Sequence, residues 1–198
     1  DFIFLVLNEP SIPEGMGYYG MLIGVSNAIE GTGQSNYNYS SDFGSEGKLK
    51  AVMQLTGLSY LQSGPSLHEL MHNWGNFGFE THSVDQLGDD ITSYPYWGHW
   101  GFTGGSTKGQ LGGFEQSTLV ELKDSSYSVA AFGPFANGGN GVPYNELELY
   151  LMGMAPLSSV SPFDLFSDIT RWSGTETTYE FTAFLSTLST LVNEHNCF

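Results

Sequence analysis

The segment from Pro65 to Gly75 constrains this chain more than any other. Leu67, Leu70, Met71 and Trp74 fall at i, i+3, i+4 and i+7, which predicts a helix with one apolar stripe. Pro65 suits a first turn, and Ser66 with Glu69 three positions on spells a capping box. Gly75 is placed to end the helix in a left-handed turn. A helix of about ten residues is only ~15 Å long, so packing rather than propensity must hold it. The stripe therefore needs a core, and His68, Glu69 and His72 are left off it.

Apolar runs precede this helix. Phe2 to Leu7 is continuous and stops at Asn8-Glu9-Pro10, which predicts a buried strand. Met21 to Val25 predicts a second strand, after a turn around Gly15 and Gly17. In Lys48 to Leu55, the alternation of Leu49, Ala51, Met53 and Leu55 favours a strand, although the residues also suit a helix. Gly31 to Gly47 reads as loop or weak edge strand, and Gly75 to Gly141 as mostly loop, a length that usually serves function. Glu146 to Met152 predicts a short helix or turn, closed by Gly153 and Pro156. The spacing of Phe181, Phe184, Leu185, Leu188, Leu191 and Val192 predicts a terminal helix.

Strands leading into a helix, followed by a loop-rich half, give an α+β class. The 198 residues fit one domain, with sheet and helix over 1–76 and a loop-rich lower part with the terminal helix over 77–198. The 26 glycines indicate loops rather than disorder, because apolar and aromatic content is that of a globular protein. With 21 acidic against 5 basic side chains the net charge is -16, which argues against nucleic acid and anionic membranes as partners. That acidity reads as solubility, or as structural calcium sites around Asp85, Asp89 and Asp90, though no EF-hand pattern is present. No stretch has the length and apolarity of a membrane span. Cys197 is the single cysteine, so no intrachain disulfide forms. The start at Asp1 reads as a piece of a longer precursor.

Four residues apart on a helix, His68 and His72 aim their imidazoles at one point. Neutral imidazole is a good zinc ligand, and Glu69 beside the pair is placed to take a proton from a zinc-activated water and pass it to a leaving amine. The same residues also read as two polar surface histidines with a solvated glutamate. A catalytic zinc site takes a third protein ligand and keeps one position open.

His68-Glu69-Leu70-Met71-His72 followed by Gly75 resembles the zincins, and within them the metzincin pattern H-E-x-x-H-x-x-G-x-x-H. The third metzincin histidine would fall on Gly78, so the ligand must come from elsewhere. His99, framed by Trp97-Gly98 and Trp100-Gly101, is the first choice. His82 is the second, and Asp85 and Glu80 follow. HELMHNWG, GHWGF with GGSTKGQLGGF, and LELYLMGMAP are together similar to a group of secreted bacterial zincin-like proteins, over roughly residues 60–160. That resemblance implies a twisted mixed sheet over an active-site helix, and an extracellular location. It makes Met152, with Met154 second, the counterpart of the methionine turn beneath the metal. Tyr150 would then donate to the oxyanion, or else be ordinary core. Glu148 fits either a third ligand or a carboxylate that orients an imidazole or caps a helix.

The function so implied is that of a zinc-dependent endopeptidase, monomeric, with one catalytic Zn²⁺ and a protein or peptide as substrate. A non-catalytic binding or adhesion module on the same scaffold, and a zinc hydrolase acting on a non-peptide substrate, stay open beside it.

Overall fold

Alternation decides the central strand. In the computed structural model, Ala51, Met53 and Leu55 are buried, as is Leu49 just before them, and the chain over Ala51–Leu55 is strand rather than helix. The structure describes residues 1–8, 11–12, 14–15, 20–30, 35–75, 108–123 and 142–167, with the strand segments 82–83, 92–93, 126–130, 172–175, 178–182 and 184–187.

Strands β1 (Phe2–Val6), β2 (Gly20–Gly24), β3 (Ser26–Asn27), β4 (Tyr37–Asn38) and β5 (Ala51–Leu55) precede the first helices. β5 lies between β1, to which it is parallel, and β2, to which it is antiparallel. The sheet is therefore mixed, and among the described residues both β1 and β2 are edges. β3 and β4 form a separate pair, so the described part of the polar stretch, 35–47, is turns and bends around one short strand.

One expectation fails at β1. Its apolar run is continuous, yet Ile3, Phe4 and Leu5 are 45, 42 and 54 % exposed. A run apolar on both faces is buried only where layers cover both faces, and this strand is an edge.

After α1 (Tyr60–Ser63) comes α2 (Ser66–Met71), packed against β2 and β5. It is shorter than the spacing predicts. Asn73 and Trp74 close it through i→i−3 bonds to Leu70 and Met71, and Gly75 is not among the glycines with positive φ. The Ser66–Glu69 capping box is also absent. Pro65 takes the cap position, so Ser66 lies inside the first turn and Glu69 is one residue too far along to reach back.

The later half holds more strand than expected. β6 (His82–Ser83) pairs with β7 (Thr92–Ser93), and β8 (Val120–Glu121) with β9 (Ser126–Ala130), inside what reads as loop. Helix α3 (Glu146–Leu151) forms as predicted, and Gly153 ends it at φ 73°. Then come β10 (Asp164–Ser167), β11 (Trp172–Thr175), β12 (Thr178–Thr182) and β13 (Phe184–Thr187). Four of these strands make an antiparallel sheet in the order β11-β12-β9-β8, and β10 pairs with β13. The terminal helix is thus replaced by strand over Phe181, Phe184 and Leu185. Threonine and aromatic residues favour a pleated surface, and Tyr179 and Phe181 alternate as strand residues do. Leu188, Leu191 and Val192 lie outside the described residues.

The structure is accordingly α+β, with small sheets and short helices. Among the described residues, no helix is long and apolar enough to cross a membrane.

Two apolar clusters hold the parts that matter for the site. Val25, Leu49 and Val52 form one. Met71, Leu111 and Leu147 form the other, with Trp74, Tyr144, Tyr150, Leu151, Met152, Val160 and Phe163 packed on it. Met71 and Trp74 of the α2 stripe thus share a core with Leu111 and with residues between Tyr144 and Phe163. Trp74 also meets Phe2 of β1, with ring centroids 5.6 Å apart.

Candidate metal centre

His68 is 6 % exposed, and its Nδ1 lies 2.5 Å from the backbone carbonyl oxygen of Gln110. A carbonyl only accepts, so Nδ1 carries the proton and donates. In the neutral ring this leaves the Nε2 lone pair unprotonated and turned toward His72. The two Nε2 atoms are 3.2 Å apart, and the rings stand at 90° with centroids 4.8 Å apart. The contact is a hydrogen bond in which the His72 Nε2–H donates to the His68 Nε2 lone pair. Two imidazole nitrogens this far apart can share one ion at the usual zinc–nitrogen distance of about 2.0–2.1 Å once that proton is lost.

Glu69 lies between the helix and the sheet edge. Its Oε2 accepts the Leu22 N–H of β2 at 3.0 Å. Burial pushes its pKa up to about 7, against the opposing pull of the Leu22 bond. A carboxyl group poised near neutrality is suited to take and return a proton. The close seat of α2 on β2 depends on Gly20, where a side chain would run into Pro65.

Three further contacts fix α2 from behind. Asn27 Nδ2 donates to the Asn73 carbonyl at 2.9 Å, and the Tyr144 hydroxyl to the Leu67 carbonyl at 2.8 Å. Burial, and then the Glu148 charge, raise the Tyr144 pKa, which keeps the hydroxyl a donor. The third contact is the Gln110 carbonyl on His68, and its segment is held in turn by α3. Glu148 is fully buried, and its Oε1 accepts the Leu111 N–H at 2.9 Å. Its Oε2 accepts the Asn145 N–H at 3.0 Å, while Asn145 Oδ1 accepts the Glu148 N–H at 2.9 Å. This is the capping box that the chain does form. Burial raises the Glu148 pKa, and the backbone N–H groups of Gln110, Leu111 and Asn145 act to lower it.

The structure brings His68 and His72 together, leaves the Glu69 carboxylate on the Leu22 N–H of β2, and places Glu148 one peptide unit behind His68. Tyr150 and Met152 pack on the Met71–Leu111–Leu147 cluster. Met154 is 68 % exposed. His82 sits in β6, its backbone paired with Ser93. His99, Glu80, Asp85, Asp89 and Asp90 lie outside the described residues. Among the described residues, no group of three or more His, Cys, Asp or Glu converges.

Sequence reasoning missed Leu22, Gln110, Tyr144 and Asn145. Asn145-x-x-Glu148 is a legible capping signature. Gln110 acts on His68 through its backbone, which leaves no mark in the sequence. Comparison with protein-family models, with curated proteins and with solved structures finds no match.

Proposed function

We propose that this chain is the catalytic domain of a zinc-dependent endopeptidase with a zincin-like arrangement of sheet and helix. The observation that carries the reading is the His68–His72 pair, with Nε2 atoms 3.2 Å apart and the His68 tautomer set by a backbone carbonyl. Bound zinc supplies Lewis acidity, which polarises a scissile carbonyl and makes water nucleophilic near neutral pH.

The chain's own residues do the rest. His68 and His72 hold the ion, and His99 is the proposed third ligand, with His82 next. Both Glu148 oxygens accept backbone N–H groups, which favours an orienting role for it over that of a ligand. Glu69, with its pKa near 7, takes the proton from the attacking water and returns it to the leaving amine. Tyr150 is proposed to donate to the oxyanion, and Met152 to floor the site from the apolar side. An extended peptide would add to the open edge of β2, where Leu22 already meets Glu69. Secretion, a monomeric state and structural calcium belong to the same proposal.

The test is cleavage of casein or a peptide library by the zinc-loaded domain, together with metal content. Glu69→Gln should retain zinc and lose about 10²–10⁴-fold in kcat/KM, the range that removal of a general base gives. Full zinc loading with no cleavage of any peptide would sink the peptidase reading and favour a binding module. His99→Ala should lose zinc, and zinc held at full affinity without His99 would move the third ligand to His82 or Glu148.

A further inference from the structure

The peptide unit joining Gln110 to Leu111 is engaged at both ends. Its carbonyl accepts the His68 Nδ1–H at 2.5 Å, and its N–H donates to Glu148 Oε1 at 2.9 Å. Imidazole, peptide and carboxylate thus form one continuous hydrogen-bonded chain, all of it buried. Histidines that bind metals usually give their second N–H directly to a carboxylate or a carbonyl, which fixes the ring and raises its basicity. Here both devices act in series. An N–H drawn toward a carboxylate polarises its own carbonyl, and bonds in such a chain strengthen one another in a low dielectric.

We propose that Glu148 is a positioning residue that acts on His68 through the 110–111 peptide, fixing the Nδ1–H tautomer and strengthening Nε2 as a donor to metal. The inference rests on the reading of His68 as a ligand.

Three features support a built arrangement. Glu148 is held by its own helix start, because Oε2 serves the Asn145 N–H while Oε1 remains for Leu111. Gly109 admits the loop to the carboxylate, since a Cβ there would lie 2.5 Å from Glu148 Oε2 and 2.7 Å from Asn145 Nδ2. Leu111 belongs to the Met71–Leu147 cluster, so the peptide's far side is locked by packing against the helix that carries His68.

The variant that isolates this role is Glu148→Gln, which keeps shape and one acceptor but loses the charge and turns an amide toward one N–H. The first readout is the His68 ring, followed by ¹⁵N–¹H NMR of the metal-free protein. Wild type should show a single Nδ1–H tautomer with slow proton exchange, and Glu148→Gln a mixture with faster exchange. The second readout is zinc affinity by chelator competition, which should fall by about 10–100-fold. Asn145→Ala serves as control: it lowers stability but should leave tautomer and affinity as in wild type, because the Leu111–Glu148 bond survives.

An unchanged His68 tautomer in Glu148→Gln would overturn the proposal, even with weakened zinc, since that result marks a merely structural role. A wild-type His68 protonated at Nε2 would overturn it outright. If Glu148→Gln fails to fold, the Leu111 amide proton of wild type decides, because zinc should move it downfield if the chain is coupled. A wild type that binds no zinc but shows the Glu148-dependent tautomer would refute the peptidase reading and leave the relay standing.

Discussion

Helices α2 and α3 have equal length, and each carries a buried or largely buried glutamate near its start, but the surroundings of the two carboxylates differ. Glu148 accepts backbone N–H groups on both oxygens, from Asn145 at its own cap and from the Gln110–Leu111 segment. Glu69 accepts one, from a strand 47 residues away, and its helix has no side-chain cap at all. Burial raises the pKa of both. One helix satisfies its own terminus and is anchored, while the other leaves its carboxylate under-solvated and available for proton transfer. Strain of this kind is expected where chemistry is done, and its cost must be met elsewhere in the fold.

Four substitutions break or sharpen that contrast. The largest effect is expected at Gly109, where Gly109→Ala drives a methyl group into the Glu148–Asn145 network. A loss of about 3 kcal/mol is expected in denaturant unfolding, as overpacking a pinned site gives. A loss below about 0.5 kcal/mol would show that the anchor is soft.

Glu69 should behave in the opposite sense. Its pKa rises from 4.5 to about 7 on folding, so the folded state disfavours the ionised form. The stability of the neutral carboxyl is fully present below pH 4.5 and is lost as pH rises through about 7. Glu69→Gln should therefore stabilise the metal-free protein by about 2 kcal/mol at pH 8 and by almost nothing at pH 4. Equal melting temperatures for the two proteins at pH 8 would remove Glu69 from the class of strained groups.

The smaller effects compare the helix starts. Asn145→Ala removes a side-chain cap and should cost about 1 kcal/mol. Ser66→Ala removes no cap, and its cost should be the lesser of the two in the same thermal melts. The reverse order would mean that Ser66 caps α2 in solution.

Much of the frame was legible in the chain. Periodicity gives α2 and favours β5, an apolar run marks β2, the Gly153 stop marks a short helix or turn at α3, and the His68-Glu69-His72 triplet follows from spacing on α2. What periodicity could not reach depends on distant partners. Ser66-x-x-Glu69 and Asn145-x-x-Glu148 read alike, and only the Leu22 N–H and a helix start one residue earlier separate them. The strands over 178–187 share their apolar residues with a helical pattern. Pairing of β12 with β9, some fifty positions back, settles the matter. Gln110 was invisible for a simpler reason, since its carbonyl would be the same on any residue.

The open edge at β1 has a consequence for how the protein behaves in bulk. Phe-Ile-Phe-Leu-Val is a short uncharged β-forming run with its apolar side chains at the surface, the kind of strand on which copies of a chain stack. The net charge of -16 opposes that stacking by pushing molecules apart before their edges meet. Salt shortens the reach of this repulsion to about 3 Å at 1 M. Colloidal stability is thus set by ionic strength: light scattering at constant protein concentration should rise as salt is added, and Phe4→Lys should hold it flat.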